Sequence, residues 1–356
     1  MRIKMTALDT LFFRDGKPFT KGEETWSDGI FPPYPSVIYG ALRSSYFSQN
    51  IEEFRKLNEQ DLLNTDNDPT SRLKIEEITL MVDGEMVFPV PADCLREKEK
   101  SDGIGTRITS FTSKGLSSFP CDYILKTDEK EYENTYGKYI DIRDFGKYLS
   151  NGIKTLGIFE LNKLYNEAKV GIAIDYDKRT AKDSMLYRVD MKRPDNIEIV
   201  VSFSGLELEE KGLIKLGGEG KAVSYQRIEE NHELSFPEIE NEFVMYLSTP
   251  AIFDNGWLPS FLDTETLQGE IVSGLKVKLV SALVKRPDLI GGYDMKNNRA
   301  KPMLKAVPAG SAYFFDILEG NADLLKHIQG KSVSDVKSEE GFGIVYFGKT
   351  KKEIAK

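Results

Sequence analysis

The sequence predicts an α+β protein made of two tandem ferredoxin-like (RRM-like, βαββαβ) domains with insertions. Two patterns lead to this class. After residue 242 the apolar periodicities follow the order strand, helix, strand, strand, helix, strand, and the N-terminal part opens with the same strand–helix–hairpin order. The length of 356 residues gives room for both, at about 100–200 residues per domain. An acidic run at 228–242 holds six glutamates and neither Lys nor Arg, and it divides the chain into domains 1–230 and 231–356.

In the first domain, residues 2–13 alternate as a strand that closes at the turn Arg14-Asp15-Gly16-Lys17-Pro18. Phe31-Pro32-Pro33-Tyr34-Pro35-Ser36 marks a helix start, and Val37, Ile38, Ala41, Leu42 and Tyr46 then form one apolar stripe. Gly40 inside that helix costs about 1 kcal/mol relative to alanine, so a close neighbour of its backbone is expected. Residues 51–71 read as an acidic connection, and 75–90 as a hairpin turning at Asp83-Gly84. The stretch 95–150, rich in Lys, Glu, Asp, Ser, Gly and Tyr, reads as an inserted, partly mobile region. Residues 154–168 read as an amphipathic helix, followed by strands at 170–175, 197–204, 213–216 and 222–228. In the second domain, strands are expected at 243–248, 277–284, 303–307, 312–317 and 343–347, with helices at 259–268 and 321–328.

Composition sets the function classes. Apolar residues are 40% and charged residues 29%, the balance of a soluble globular chain. No apolar run approaches the ~18–20 residues of a membrane span, and the N-terminus carries no secretory pattern. Cys94 and Cys121 stand far apart with no CxxC, which excludes a disulfide framework and a Cys-rich zinc site and points to the cytoplasm. The formal charge of −9 argues against nucleic acid, but the charges are segregated. Residues 178–193 carry six basic side chains against two acidic ones, and 285–305 repeat that ratio. Such segments are either solvated faces or parts of a phosphate-binding stripe.

Catalytic patterns are missing. Leu216-Gly217-Gly218-Glu219-Gly220-Lys221 resembles the end of a Walker A loop, but Lys215 and Ala222 stand where Gly and Ser/Thr are required. No GxGxxG, HExxH or GxSxG occurs, and no metal or cofactor is expected. His232 lies among the glutamates of the acidic run. His327 falls near the end of a short helix, where the last carbonyls are its natural partners. Asp175 with Asp177 is a weak pair for a cation. The glycines of 216–221 suit tight turns, and equally a cradle that lays backbone N–H groups and Lys221 against a phosphodiester.

Several stretches together resemble one family. They are Leu8-Asp9-Thr10-Leu11-Phe12-Phe13-Arg14-Asp15-Gly16-Lys17-Pro18-Phe19, Phe31 through Ser44, Gly171 through Asp175 with Leu186-Tyr187-Arg188, the 216–221 loop, and Gly341-Phe342-Gly343. The chain resembles the third-subunit family of the Cmr module, the type III-B CRISPR effector, within the RAMP superfamily. It departs from the superfamily at its C-terminus. Only Gly330 precedes Gly341 and Gly343, where a longer glycine array is usual.

The resemblance implies a non-catalytic scaffold in antiviral defence. It would hold the 5′ tag of the CRISPR RNA and meet target RNA only indirectly. It would dock the large cyclase/nuclease subunit and the first backbone RAMP subunit. On this expectation Arg14 and Lys17 contact phosphates from the tip of the first strand. Ser36 and Tyr39 present N–H groups at the helix start, with Arg43 one turn on and Gly40 leaving room for the strand. Gly217, Gly218, Gly220 and Lys221 clamp the tag, Arg286, Lys301 and Lys305 line the opposite wall, and a base stacks on Tyr39 or Phe13. The rival readings are a metal-independent RAMP endoribonuclease that processes CRISPR RNA and a protein-only scaffold.

Overall fold

A computed structural model describes residues 1–14, 26–27, 29–57, 67–113, 120–175, 180–229, 234–294 and 299–354. The chain forms two compact units. Unit 1 comprises Met1–Ile75, Asn162–Glu229 and Leu289–Lys305; unit 2 comprises Glu76–Leu161, Glu230–Asp288 and Ala306–Lys356. The crossing at 229/230 falls in the acidic run, and the chain changes unit at four other places as well.

In unit 1 the strand Arg2–Ala7 lies between Ile197–Ser204 and Ala222–Arg227, and Lys211–Lys215 follows on the far side of the latter, all antiparallel. Alternation buries Ile3 and Met5, together with Ile199, Val201, Val223, Tyr225 and Ile214 on the neighbouring strands. The helix Pro35–Gln49 starts as the prolines predict and buries Ile38, Ala41, Leu42 and Ser45. At its far end, Gln49 donates to the Tyr225 hydroxyl (2.8 Å) and accepts from the Glu209 amide (3.1 Å).

Unit 2 contains a five-stranded antiparallel sheet in the order Gln268–Val272, Leu275–Leu283, Ala312–Glu319, Glu242–Leu247, Val345–Lys349. Residues 243–247 are buried on both faces of the sheet. Phe243, Met245 and Leu247 enter one apolar core with Tyr313, Phe315, Phe347 and Leu325. On the other side, Tyr246 meets Phe145, whose ring stacks on Phe88 at 4.2 Å between centroids.

Three expected elements are replaced. Residues 154–168 hold no helix. Thr155–Gly157 is a strand with Leu156 buried and both neighbours exposed, and Leu164–Asp175 pairs with Thr180–Pro194 as a long hairpin. Cross-strand pairing along the hairpin overrides the helical periodicity of 154–168. Residues 259–268 turn rather than coil. The Asp263 carboxylate accepts from the amides of Glu265 and Thr266, Leu267 sits at φ 56°, and Phe253, Leu258 and Leu262 pack into the core from this irregular stretch. The expected insertion at 95–150 belongs to unit 2: its strands are two to four residues long, and its helix Ile142–Leu149 buries Phe145, Tyr148 and Leu149. Strands that short carry almost no periodic signal.

A buried ion pair ties that stretch to Asp93 just before it. Arg107 Nε sits 3.1 Å from Asp93 Oδ2, both side chains being almost wholly buried. The guanidinium also donates to the Tyr148 carbonyl and to Asn151 Oδ1, each at 3.0 Å, and lies over the Tyr148 ring. The Tyr148 hydroxyl donates to Asp93 Oδ1 at 3.0 Å. Burial pushes the Cys94 thiol and the Tyr148 phenol well up from their ordinary range. Arg107→Leu leaves a buried carboxylate without its partner and should lower stability by about 3–5 kcal/mol, read from the denaturant midpoint. Asp93→Leu in the same chain should restore much of that loss.

Candidate functional site

Two sequence-predicted stretches meet in unit 1. The segment 9–14 runs beside 190–192, with Leu11 and Lys192 exchanging backbone hydrogen bonds at 2.7 Å. It also runs beside 29–30, where Ile30 N donates to Phe13 O at 2.8 Å. The glycine loop closes over it: Gly218 N donates to Phe12 O at 2.9 Å, and Leu216 N donates to Lys221 O at 3.0 Å. Gly217 and Gly220 sit at φ 80° and 68°. A Cβ on Gly217 would lie 2.5 Å from Phe12 O, so the loop backbone presses on the segment at a place no side chain could occupy.

The cations at this junction are paired. Lys221 Nζ reaches Asp9 at 2.5 Å, and Lys169 Nζ reaches Glu219 at 2.6 Å. The Lys221 hydrogen bond, helped by the Thr10 amide, holds the Asp9 carboxyl below its usual range. Gly218 and Gly220 are exposed, as is Arg14, which forms a backbone bridge with Gly29. Phe13 is buried against Phe31 and Gly217, which removes it as a stacking surface for a base.

The helix residues divide. Ser36 and Tyr39 are half-buried in the first turns of Pro35–Gln49, and no acidic side chain occupies the first turn. Gly40 is exposed, and a Cβ there meets nothing within 4 Å. The close neighbour expected for it is therefore not supplied by the described residues. Arg43 is held from within: Nε donates to Thr70 Oγ1 at 2.6 Å, and a second nitrogen pairs with Asp68. Thr70 in turn donates to Asp68 from both amide and hydroxyl. The Asp68-Pro69-Thr70 triplet inside the acidic connection was the available signal for this clamp.

The basic stretch 285–305 is divided between the two units. Lys301 and Lys305 are exposed in unit 1, whereas exposed Arg286 belongs to unit 2. Lys285 turns inward, its Nζ 3.4 Å from Val90 O. Gly341 and Gly343, both at positive φ, flank the fully buried Phe342, and Gly343 N donates to Pro250 O at 2.7 Å. These two glycines serve the packing of unit 2. Lys17, Asp177 and His232 lie outside the described residues, and His327 ends the 3₁₀ turn Ala322–His327. Among the described residues no three His, Cys, Asp or Glu side chains gather as metal ligands, and no helix is long and apolar enough to cross a membrane.

The described residues form a mixed, strand-rich fold with a glycine loop locked onto its first segment. The family model for CRISPR-associated protein (Cas_Cmr3) matches residues 3–350, and the chain belongs to that family, a Cmr3-type subunit of the type III-B effector. One chain of the type III-B Cmr-beta complex bound to cognate target RNA is similar in fold, with TM-score 0.53 and 17% identity over 99% of each chain. A chain of the same assembly with AMPPnP gives TM-score 0.49 and 18% identity over 88% of this chain and 86% of that one. A chain of the type III-A Csm3–Csm4 subcomplex gives 0.36 and 10%, over 90% and 94%. Comparison with curated proteins returns no match.

Two outcomes follow. Gly40→Ala should raise stability by about 0.5–1 kcal/mol, because the helix gains propensity and nothing is displaced. Gly217→Ala should lower it by at least ~1–3 kcal/mol through backbone strain alone. Thermal melts of both variants check the contrast. Burial also pulls Lys285 down to about 8 from its ordinary 10.5. Between these values the unfolded chain binds the Lys285 proton and the folded chain does not, so this lysine's contribution to stability should rise from pH 8 to 10, opposite in sign to that of the raised Cys94 thiol. Lys285→Met should remove that rise in denaturation curves taken across the window.

Proposed function

We propose that this chain is a non-catalytic RNA-binding scaffold of a cytoplasmic type III-B effector. In this reading it holds the 5′ tag of the CRISPR RNA and docks the large cyclase/nuclease subunit and the first backbone subunit. The observation that carries the reading is the junction of segment 9–14 with the 216–221 loop. There exposed glycine backbone and Lys221 lie against the segment that ends in exposed Arg14, held by backbone bonds rather than by side chains alone. A phosphate seated there would take Lys221 from Asp9, a surface exchange of small net cost, since water screens an exposed ion pair. Lys17, Ser36, Tyr39, Gly40, Lys301 and Lys305 are further contacts in this reading. Arg43 then acts chiefly by shaping the helix through Asp68 and Thr70.

Family membership supports the assembly, and the strand order of unit 2 supports a ferredoxin-like core. With its strands numbered along the chain from Glu242–Leu247, and the edge strand Gln268–Val272 left aside, they lie in the order 2-3-1-4. The rival endoribonuclease reading requires a general base; among the described residues the one histidine, His327, belongs to unit 2 and the glycine loop to unit 1.

Binding of tagged and untagged CRISPR RNA to the full chain, measured across a salt series, tests the proposal. The tagged RNA should bind more tightly. Arg14→Ala and Lys221→Ala should each weaken it and flatten the slope of log K against log salt by about 0.7. Equal affinity for the two RNAs, or unchanged slopes in both variants, would overturn the reading. So would cleavage of repeat RNA that His327→Ala abolishes.

A further inference from the structure

The strand Lys211–Lys215 closes the unit 1 sheet. Ala222–Arg227 flanks it on one side, and among the described residues no strand flanks it on the other. The register decides which backbone groups stay open. Leu216 N donates to Lys221 O, and Arg227 N donates to Glu210 O at 2.7 Å. Even-numbered residues 210–216 therefore bond to the neighbouring strand, while the N–H and C=O groups of Lys211, Leu213 and Lys215 point to the open side.

The side chains of these same three residues share the face opposite buried Ile214. Leu213 is 64% exposed, and Lys211 and Lys215 are exposed on either side of it. Among the described residues neither lysine pairs with a carboxylate. The adjacent acid, Glu210, is held by Arg227 at 2.8 Å. In a chain of net charge −9, this edge is cationic around a solvated leucine.

We propose that Lys211–Lys215 is a docking edge for an extended acidic segment of a protein partner, with the pattern acid–x–apolar–x–acid, which adds to the sheet as a further strand. The complementarity is threefold. Alternating donors and acceptors meet a peptide backbone, Leu213 meets the central apolar residue, and each lysine faces an acid directly across the new pair. A second copy of this chain is a poor occupant, because antiparallel pairing about Leu213 sets Lys211 against Lys215 twice. A ribose-phosphate strand is poorer too, since the open carbonyls need N–H donors that a phosphodiester lacks. The inference goes beyond the RNA-holding role and requires no RNA.

The full chain is titrated with a fluorescein-labelled peptide of sequence TETVTET and with its lysine counterpart TKTVTKT, and amide exchange is followed at 211–215. The acidic peptide should bind saturably and at least tenfold more tightly, and it should slow exchange at Leu213. In the double variant Lys211→Glu/Lys215→Glu the preference should invert. Leu213→Pro keeps the native ladder, because its N–H faces outward, and should abolish binding. Equal affinity for the two peptides, a preference that survives charge reversal, or no saturable binding at millimolar peptide would each overturn the proposal. Protection of 211–215 by a uridine oligomer in place of the acidic peptide would do so as well, by assigning the edge to RNA.

Discussion

The hydrogen bond from the Gly218 amide to the Phe12 carbonyl is the contact on which the candidate site depends. It is available only because Gly217 adopts φ 80° and carries no Cβ to strike that same carbonyl. Phe12 and Phe13 sink into the protein beneath the loop, so the chain on either side of them is drawn to the surface. Asp9 and Arg14 are the residues so exposed. An apolar pair thereby fixes the place of two charged neighbours, and the loop adds Lys221 to them at a set distance.

Electrostatics in this molecule works at two depths. At the glycine loop, Lys169 and Lys221 are each balanced by a carboxylate within reach of water, where an incoming anion can replace it at little expense. In unit 2, Asp93 and Arg107 balance each other almost wholly shielded from solvent, bound to Tyr148 and Asn151 as well. That arrangement holds strands and a helix in one geometry and leaves no charge available to a ligand. Net charge alone would not separate the two cases; burial does.

Much of the fold was legible in the sequence where the signal was local. The turn at Asp83-Gly84, with φ of 50° and 87°, and the helix beginning at Pro35 follow from residue chemistry that needs no distant partner. The central strands 197–204 and 243–247 declared themselves through apolar runs. What failed depended on pairing and side-chain capture that a fixed-period pattern does not show. Residues 164–175 become a strand only because 180–194 lie beside them, and 259–268 turn because Asp263 captures nearby amides. The site was legible as motifs but not as partners. Gly217, Gly218 and Lys221 were evident, whereas the claims of Asp9 on Lys221 and of Asp68 on Arg43 span separations that no motif records.

The interleaving of the two units has a bearing on synthesis. Leu289–Lys305 returns to unit 1 only after most of unit 2 has been made, and Val345–Lys349 completes the unit 2 sheet against Glu242–Leu247 later still. A nascent chain therefore cannot finish one unit before beginning the other. Dividing the gene at the acidic run would strand the seventeen residues Leu289–Lys305 of unit 1 on the other fragment.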